Sequence, residues 1–286
     1  MNKLIQRLLT FFIGIPLVLF VVYIPFCKHI VLNILIVAVS LLSSIETYNI
    51  FSVKSPMQNK KVVILLSFLV SLSGLICTQI GIDFSLTTFV LVSTLMILMT
   101  MEIFTPGTST SGSADIFSDA NKKIPASLFV LIYGGYMLTF LSRISILENA
   151  TPYLILFLFM VFICDSSAWL FGMTLGKNNR GYIKASPNKS IAGFAGGIAG
   201  AIASGILGWF IWRDVFTGSI IKIIVLGLII GITSILGDLS ESVFKRSAGC
   251  KDSGNIIPGR GGILDSVDSI LMSAPVYYFL IMFMFE

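Results

Sequence analysis

Nine runs of about 20 predominantly apolar residues divide this chain, at 8–26, 30–50, 62–81, 84–104, 125–146, 152–175, 191–212, 219–244 and 265–285. A helix rises 1.5 Å per residue and the hydrocarbon of a bilayer is ~30 Å thick, so each run is long enough to cross it. The breaks between runs carry turn and charged residues. The pattern predicts an all-α, polytopic integral membrane protein with about nine transmembrane helices. The first run follows Lys3 and Arg7. No small-residue cleavage site follows it, and Phe26 precedes Cys27, so an uncleaved span is expected rather than a signal peptide or a lipoprotein leader.

Composition agrees with the runs. Of 286 residues 56% are apolar and only 12% are charged, about half the charge of a soluble protein. A soluble enzyme, a secreted disulfide scaffold and a disordered tail are excluded. The four cysteines, Cys27, Cys77, Cys164 and Cys250, lie far apart and read as reduced packing residues. The single histidine, His29, falls in a short loop and no role is expected of it.

Charge orients the chain. With the N-terminus inside, 15 of the 19 Lys and Arg residues fall in inner loops, and only Lys28, Arg143, Arg213 and Lys222 fall outside. The net charge of +5 then describes one basic face at the cytoplasmic side of the inner membrane, near anionic head groups, with Glu286 outside. Nucleic acid is not an expected partner, because no separate basic domain exists. Residues 1–124 read as plain apolar helices ending in a flexible Ser/Gly/Thr-rich inner loop, and 125–286 as the region that carries chemistry. Glycines four apart, among them Gly193/Gly197 and Gly227/Gly231, suit close helix packing.

Acids inside spans are costly and mark function by default. Asp165 falls in the sixth run, Asp238 and Glu241 in the eighth. Asp238, Ser242 and Lys245 share a helix face at i, i+4 and i+7; a buried Asp/Lys pair tying two helices is the alternative. Residues 242–269 then mix Lys245, Arg246, Lys251 and Arg260 with Asp252, Asp265 and Asp268, among Gly254, Gly259, Gly261 and Gly262. Carboxylates that hold Mg²⁺ beside cations that hold phosphate suit a polyphosphate ligand. The alternative is a solvated loop with chance ion pairs.

These residues carry a resemblance. The run S-x-x-K-R-x-x-x-x-K-D-x-G-x-x-x-P-G-x-G-G-x-L-D-x-x-D, from Ser242 to Asp268, resembles the signature of the phosphatidate cytidylyltransferases. Upstream, Asp165, Ser166, Ala168, Trp169, Gly172, Gly176 and Lys177, and then Ser186, Pro187, Lys189 and Ser190, are similar to two further blocks of that family. Three positions depart from it: Arg260 stands where the family has His, Ser266 where it has Arg, and Ala192-Gly193 where E-G is common. Arg260 offers a cation in place of the one absent at 266.

The resemblance implies transfer of CMP from CTP to phosphatidic acid, giving CDP-diacylglycerol and pyrophosphate for phospholipid synthesis. Asp238, Lys245, Arg246, Lys251 and Asp265 would be catalytic, with Asp238 and Asp265 the main Mg²⁺ ligands. The sequence alone does not separate those two from Asp252 and Asp268 as metal ligands. Asp165, Lys177, Ser186, Lys189, Ser190, Ser242, Gly259, Arg260, Gly261 and Gly262 would bind substrate. A second metal or a monovalent cation, and a homodimer, are compatible with it. The rival readings are a CTP-dependent polyprenol kinase, an ether-lipid cytidylyltransferase, an anion transporter and an inactive scaffold.

Overall fold

A computed structural model of the chain describes residues 13–104 and 117–286. Lys3, Arg7 and most of the Ser/Gly/Thr-rich loop lie outside the described residues. The helices are α1 (Ile15–Tyr23), α2 (Phe26–Phe51), α3 (Lys60–Ile80), α4 (Ser85–Ile103), α5 (Ala120–Val130), α6 (Thr139–Ile144), α7 (Ala150–Thr174), α8 (Ile191–Ile211), α9 (Ile220–Ser247) and α10 (Leu264–Met284). A π-helical segment, Leu131–Tyr136, joins α5 towards α6, so Ala120–Ile144 forms one span. Among the described residues there is no strand, and eight helices are long and apolar enough to cross a membrane. The expected ninth, 8–26, is described only from residue 13, where α1 runs. The chain is an all-α integral membrane protein.

Local chemistry ends and starts the helices where the apolar runs break. Gly81 closes α3 in the left-handed region at φ 79°, a conformation glycine adopts without strain. Asn59 caps α3 through Lys61 N, and Ser219 caps α9 through Ile221 N. At the start of α2, Cys27, Lys28 and His29 all have positive φ, 46°, 53° and 56°. The regular helix therefore begins at residue 30, and Asn33 Nδ2 holds the turn by donating to Lys28 O at 3.2 Å and His29 O at 3.1 Å.

The core of the second half is built on the fully buried Tyr153, Phe157 and Tyr277, with the Tyr277 hydroxyl donating to Tyr153 O at 2.8 Å. α7 packs on α8, α8 on α9 and α9 on α10. The paired glycines serve this packing as expected. A Cβ at Gly227 would lie 2.7 Å from Ile202 Cα, and one at Gly231 3.0 Å from Ile198 Cα. Of the four cations in the charge-poor loops, three lie over aromatic rings: Arg143 over Phe140 at 4.6 Å, Arg213 over Trp209 at 4.6 Å and Lys222 over Phe285 at 5.5 Å.

The first half departs from the plain apolar helices expected of it. Asn33, Ser40, Ser43, Ser44, Glu46 and Thr47 of α2 are all buried, and neighbouring elements bond three of them: Ser145 with Asn33, Ser67 with Ser44, and the loop before α10 with Glu46. Ser44 and Ser67 share a hydrogen bond at 2.6 Å between α2 and α3. The π segment presses Gly134 into the same place: a Cβ there would stand 2.8 Å from Ser44 Cα and 2.9 Å from Ser44 N. Backbone cannot yield as a flexible side chain can. Gly134→Ala is expected to destabilise the fold by about 1–3 kcal/mol, read as a lowered thermal midpoint in detergent; an unchanged midpoint would mean the π segment can swing away from α2.

Candidate active site at one end of the bundle

The acids that the sequence singled out in the second half gather where α7 and α9 end and α10 begins, and they fall into two groups. In the first, Asp165 comes from α7, Asp238 from α9 and Asp268 from α10. Their charges act on one another. Ser269 stitches the group together: its backbone N donates to Asp268 Oδ1 at 2.7 Å, and its hydroxyl donates to Ser234 O at 3.1 Å and reaches Asp165 Oδ1 at 3.5 Å. The helices meet closely here because Gly237 lies against Asp268, where a Cβ would sit 2.5 Å from Asp268 O. Lys189, from the loop between α7 and α8, forms an ion pair with Asp238. Asp238 is 38% exposed and its lysine comes from a loop, so this is not the buried pair tying two helices that the sequence offered as the alternative.

The second group centres on Lys245, which pairs with Glu241 one turn earlier on α9 and with Asp265 Oδ1 at 2.5 Å on α10. All three side chains are buried. Asp265 Oδ2 also accepts from Ser253 N at 2.8 Å, Ser253 Oγ at 2.9 Å and Gly262 N at 2.8 Å. Asp265, which the resemblance places beside Asp238 as a metal ligand, thus has both oxygens committed to the loop and to Lys245. The same pairing turns Lys245 towards carboxylates rather than towards an open phosphate site.

The loop between α9 and α10 is a tight turn. Ile257 N donates to Gly261 O at 2.8 Å and Gly261 N to Ile257 O at 3.0 Å, with Gly259 at φ 77° and Gly261 at φ 118°. Both glycines adopt φ values that side chains disfavour. Arg246 donates to Ala185 O at 3.3 Å and Cys250 O at 3.2 Å, tying the loop between α7 and α8 to the end of α9. Lys177, Lys251 and Asp252 are exposed, and Ser186 sits in the turn leading to Lys189. Ser190 is the N-cap of α8, accepting from Gly193 N at 3.0 Å, and Ser242 is buried on α9.

Beside the first group opens an apolar cleft of about 240 Å³, walled by α1, α2, α6, α7 and α10 through residues such as Val18, Ile36, Leu141, Leu158 and Ile270. Arg260 and Ser266 are its polar lining. Two of the three departures from the family pattern face the same cavity, and the Arg260 charge also acts on Asp165. An apolar slot and a cation thus share one cleft.

Among the described residues no three Asp, Glu, His or Cys side chains converge into a complete protein-built metal site. That suits Mg²⁺, which takes one or two carboxylates and completes its shell with water and substrate phosphates. Asp165, Asp238 and Asp268 carry hard oxygen donors of the kind Mg²⁺ takes, Asp238 with Lys189 already beside it.

One buried acid that the sequence did not single out packs against the loop between α9 and α10: Glu46. It lies on α2, is 3% exposed, and accepts from Ser253 Oγ at 2.7 Å, Ile263 N at 3.0 Å and Leu264 N at 2.8 Å. The first half of the chain thus contacts the loop before α10. The available signal was a single acid inside an otherwise uncharged run, the criterion that had picked out Asp165.

Comparison with known proteins places this geometry. The sequence model of the cytidylyltransferase family matches residues 5–284. A phosphatidate cytidylyltransferase of Synechocystis is 36% identical over 192 residues, 56% of this chain and 62% of the relative. Proteins of the same name from Staphylococcus haemolyticus and Bacillus subtilis are 37% and 39% identical over 142 and 122 residues, 50% and 43% of this chain. The matched segments span 62%, 52% and 44% of those relatives' lengths, in that order.

Proposed function

The chain belongs to the cytidylyltransferase family, and from that premise we propose that it is a phosphatidate cytidylyltransferase, moving CMP from CTP to phosphatidic acid. The observation that carries this reading is the apolar cleft with Arg260 at its polar side, whose charge acts on Asp165. A lipid phosphate monoester has the matching shape, an apolar chain for the slot and a dianionic head for the guanidinium. A soluble anion would have no use for the slot.

The chemistry follows from charge. A phosphate oxygen of phosphatidic acid attacks the α-phosphorus of CTP, the bond to the bridging oxygen breaks, and pyrophosphate leaves with the electron pair. The attacking group is already ionised near neutral pH, so no side chain need remove a proton. The protein must instead align two anions and offset their repulsion. Arg260 holds the lipid phosphate at the cleft. Lys189, Lys177 and Ser186, on the loop tied down by Arg246, line the approach for the nucleotide's phosphates, with Lys251 on the facing loop. Asp238 and Asp268 would hold Mg²⁺, which when bound neutralises charge on the phosphates and on the leaving pyrophosphate. Asp265 and Lys245 fix the start of α10, which carries Asp268.

We place this face of the bundle on the cytoplasmic side of the inner membrane, on the strength of the 15-to-4 distribution of Lys and Arg. The decisive assay is purified protein with phosphatidic acid, Mg²⁺ and CTP labelled at the α-phosphate. Label in the organic phase supports the reading; label recovered only as free CDP would make the protein a lipid kinase. In the same assay Arg260→Ala is expected to raise KM for phosphatidic acid about 10- to 100-fold, the cost of one charge-assisted contact, with KM for CTP little changed. Arg260→His with Ser266→Arg restores most of the loss, since both positions face one cleft. A harmless Arg260→Ala would remove Arg260 from the lipid site.

A further inference from the structure

The first turn of α10 carries Asp265 and Asp268, yet this helix has no cap of its own. Ile263 stands at its N-cap position without a side-chain hydrogen bond, leaving the amides of the first turn without helical partners. The missing acceptor comes from the other half of the chain. Glu46 takes the amides of Ile263 and Leu264, residues more than 200 positions away, together with the hydroxyl of Ser253. A carboxylate at a helix N-terminus is favoured by the helix dipole as well as by the bonds themselves.

Two loop glycines acquire a reason from this contact. A Cβ at Gly254 would stand 2.5 Å from Glu46 Oε1, and one at Gly262 2.6 Å from Glu46 Cδ. Read from sequence, these glycines let the backbone approach a ligand; in the structure they admit a carboxylate from α2. Ser253 then stands between two acids, 2.7 Å from Glu46 Oε2 and 2.9 Å from Asp265 Oδ2. The loop is thereby fixed from both sides.

We infer that Glu46 is a positioning residue for CMP transfer: its carboxylate sets the register of residues 253–264 and so places Arg260 and the first turn of α10. Glutamine at this position keeps the size but offers one acceptor oxygen and turns an NH₂ group towards backbone donors.

The test has two arms. In the first, hydrogen exchange of purified full-length protein follows the segment 253–266. Glu46→Gln is expected to speed exchange of the Ile263 and Leu264 amides about 10-fold or more, in line with loss of charge-assisted bonds, while α7 and α8 stay at wild-type rates. In the second, CMP transfer is expected to fall about 10- to 100-fold in kcat, with KM for CTP changed less. Ser253→Ala, which removes one of the three bonds, should show the same pattern more weakly and serves if Glu46→Gln does not assemble. Unchanged exchange at 253–266 together with wild-type kcat in either variant overturns the inference. The kinetic arm rests on the proposed function and the exchange arm does not. If the wild-type protein labels no lipid, that function fails while exchange still decides the role of Glu46.

Discussion

Asp268→Asn is expected to cost about 100-fold or more in kcat and, at the same time, to leave the protein as stable as before or more so. The two effects have one origin. Asp268 is 7% exposed and lies among Asp165, Asp238 and Glu241, so asparagine, which brings no charge to bury, costs the fold nothing. Under the proposed mechanism asparagine would remove a donor for a divalent cation, a group that contributes several kcal/mol to stabilising a phosphoryl transition state. Asp238→Asn should lose activity to a similar degree, and its effect on stability should be less favourable because the Lys189 ion pair goes with it. Turnover, Mg²⁺ titration and a thermal melt in detergent check all three statements. Near-normal turnover in Asp268→Asn would take Asp268 out of the metal site and return Asp265 to candidacy.

Lys245→Met should have the opposite character, a collapse of stability more than a defect in chemistry. Lys245 is the cation shared by Glu241 and Asp265, whose side chains are 0% and 7% exposed. Removing one partner of a buried ion group leaves uncompensated charge and costs about 3–5 kcal/mol. The triple variant Lys245→Met, Glu241→Gln, Asp265→Asn removes the charges together and should regain much of the lost thermal stability. If Lys245→Met melts with the wild type, the two carboxylates are satisfied by something other than this lysine.

These expectations rest on features that were unevenly legible in the sequence. Helices crossing the bilayer announce themselves, because hydrocarbon tolerates no interruption, and seven of the expected spans after the first lie within a few residues of those observed. The span 125–146 is the informative case. Its apolar run was visible, but the π segment at Leu131–Tyr136 depends on the fit of Gly134 and Gly135 against α2 and α3, which hydropathy does not record. The acids Asp165, Asp238 and Glu241 stood out because each interrupts an apolar run. How they group did not, since Asp265 and Asp268 differ by one helical turn and only the positions of Lys245, Ser253 and Ser269 decide which neighbours each one faces. Arg260 and Ser266 were visible as departures; that they share one cleft with α1 and α2 is a fact of assembly.

The contact between Glu46 and the loop before α10 also bears on how the protein is made. Glu46 leaves the ribosome more than 200 residues ahead of Ser253, Ile263 and Leu264, so its helix enters the membrane with an acid that has none of these partners. Position 46 lies five residues before the end of α2 at Phe51, about 7–8 Å along the axis, near enough to the head-group region for the carboxylate to stay hydrated while it waits. Insertion of α10 then withdraws it from water. Completion of the last helix is thereby the step that shapes the catalytic loop, and a chain truncated before residue 263 would insert its first helices normally and remain inert.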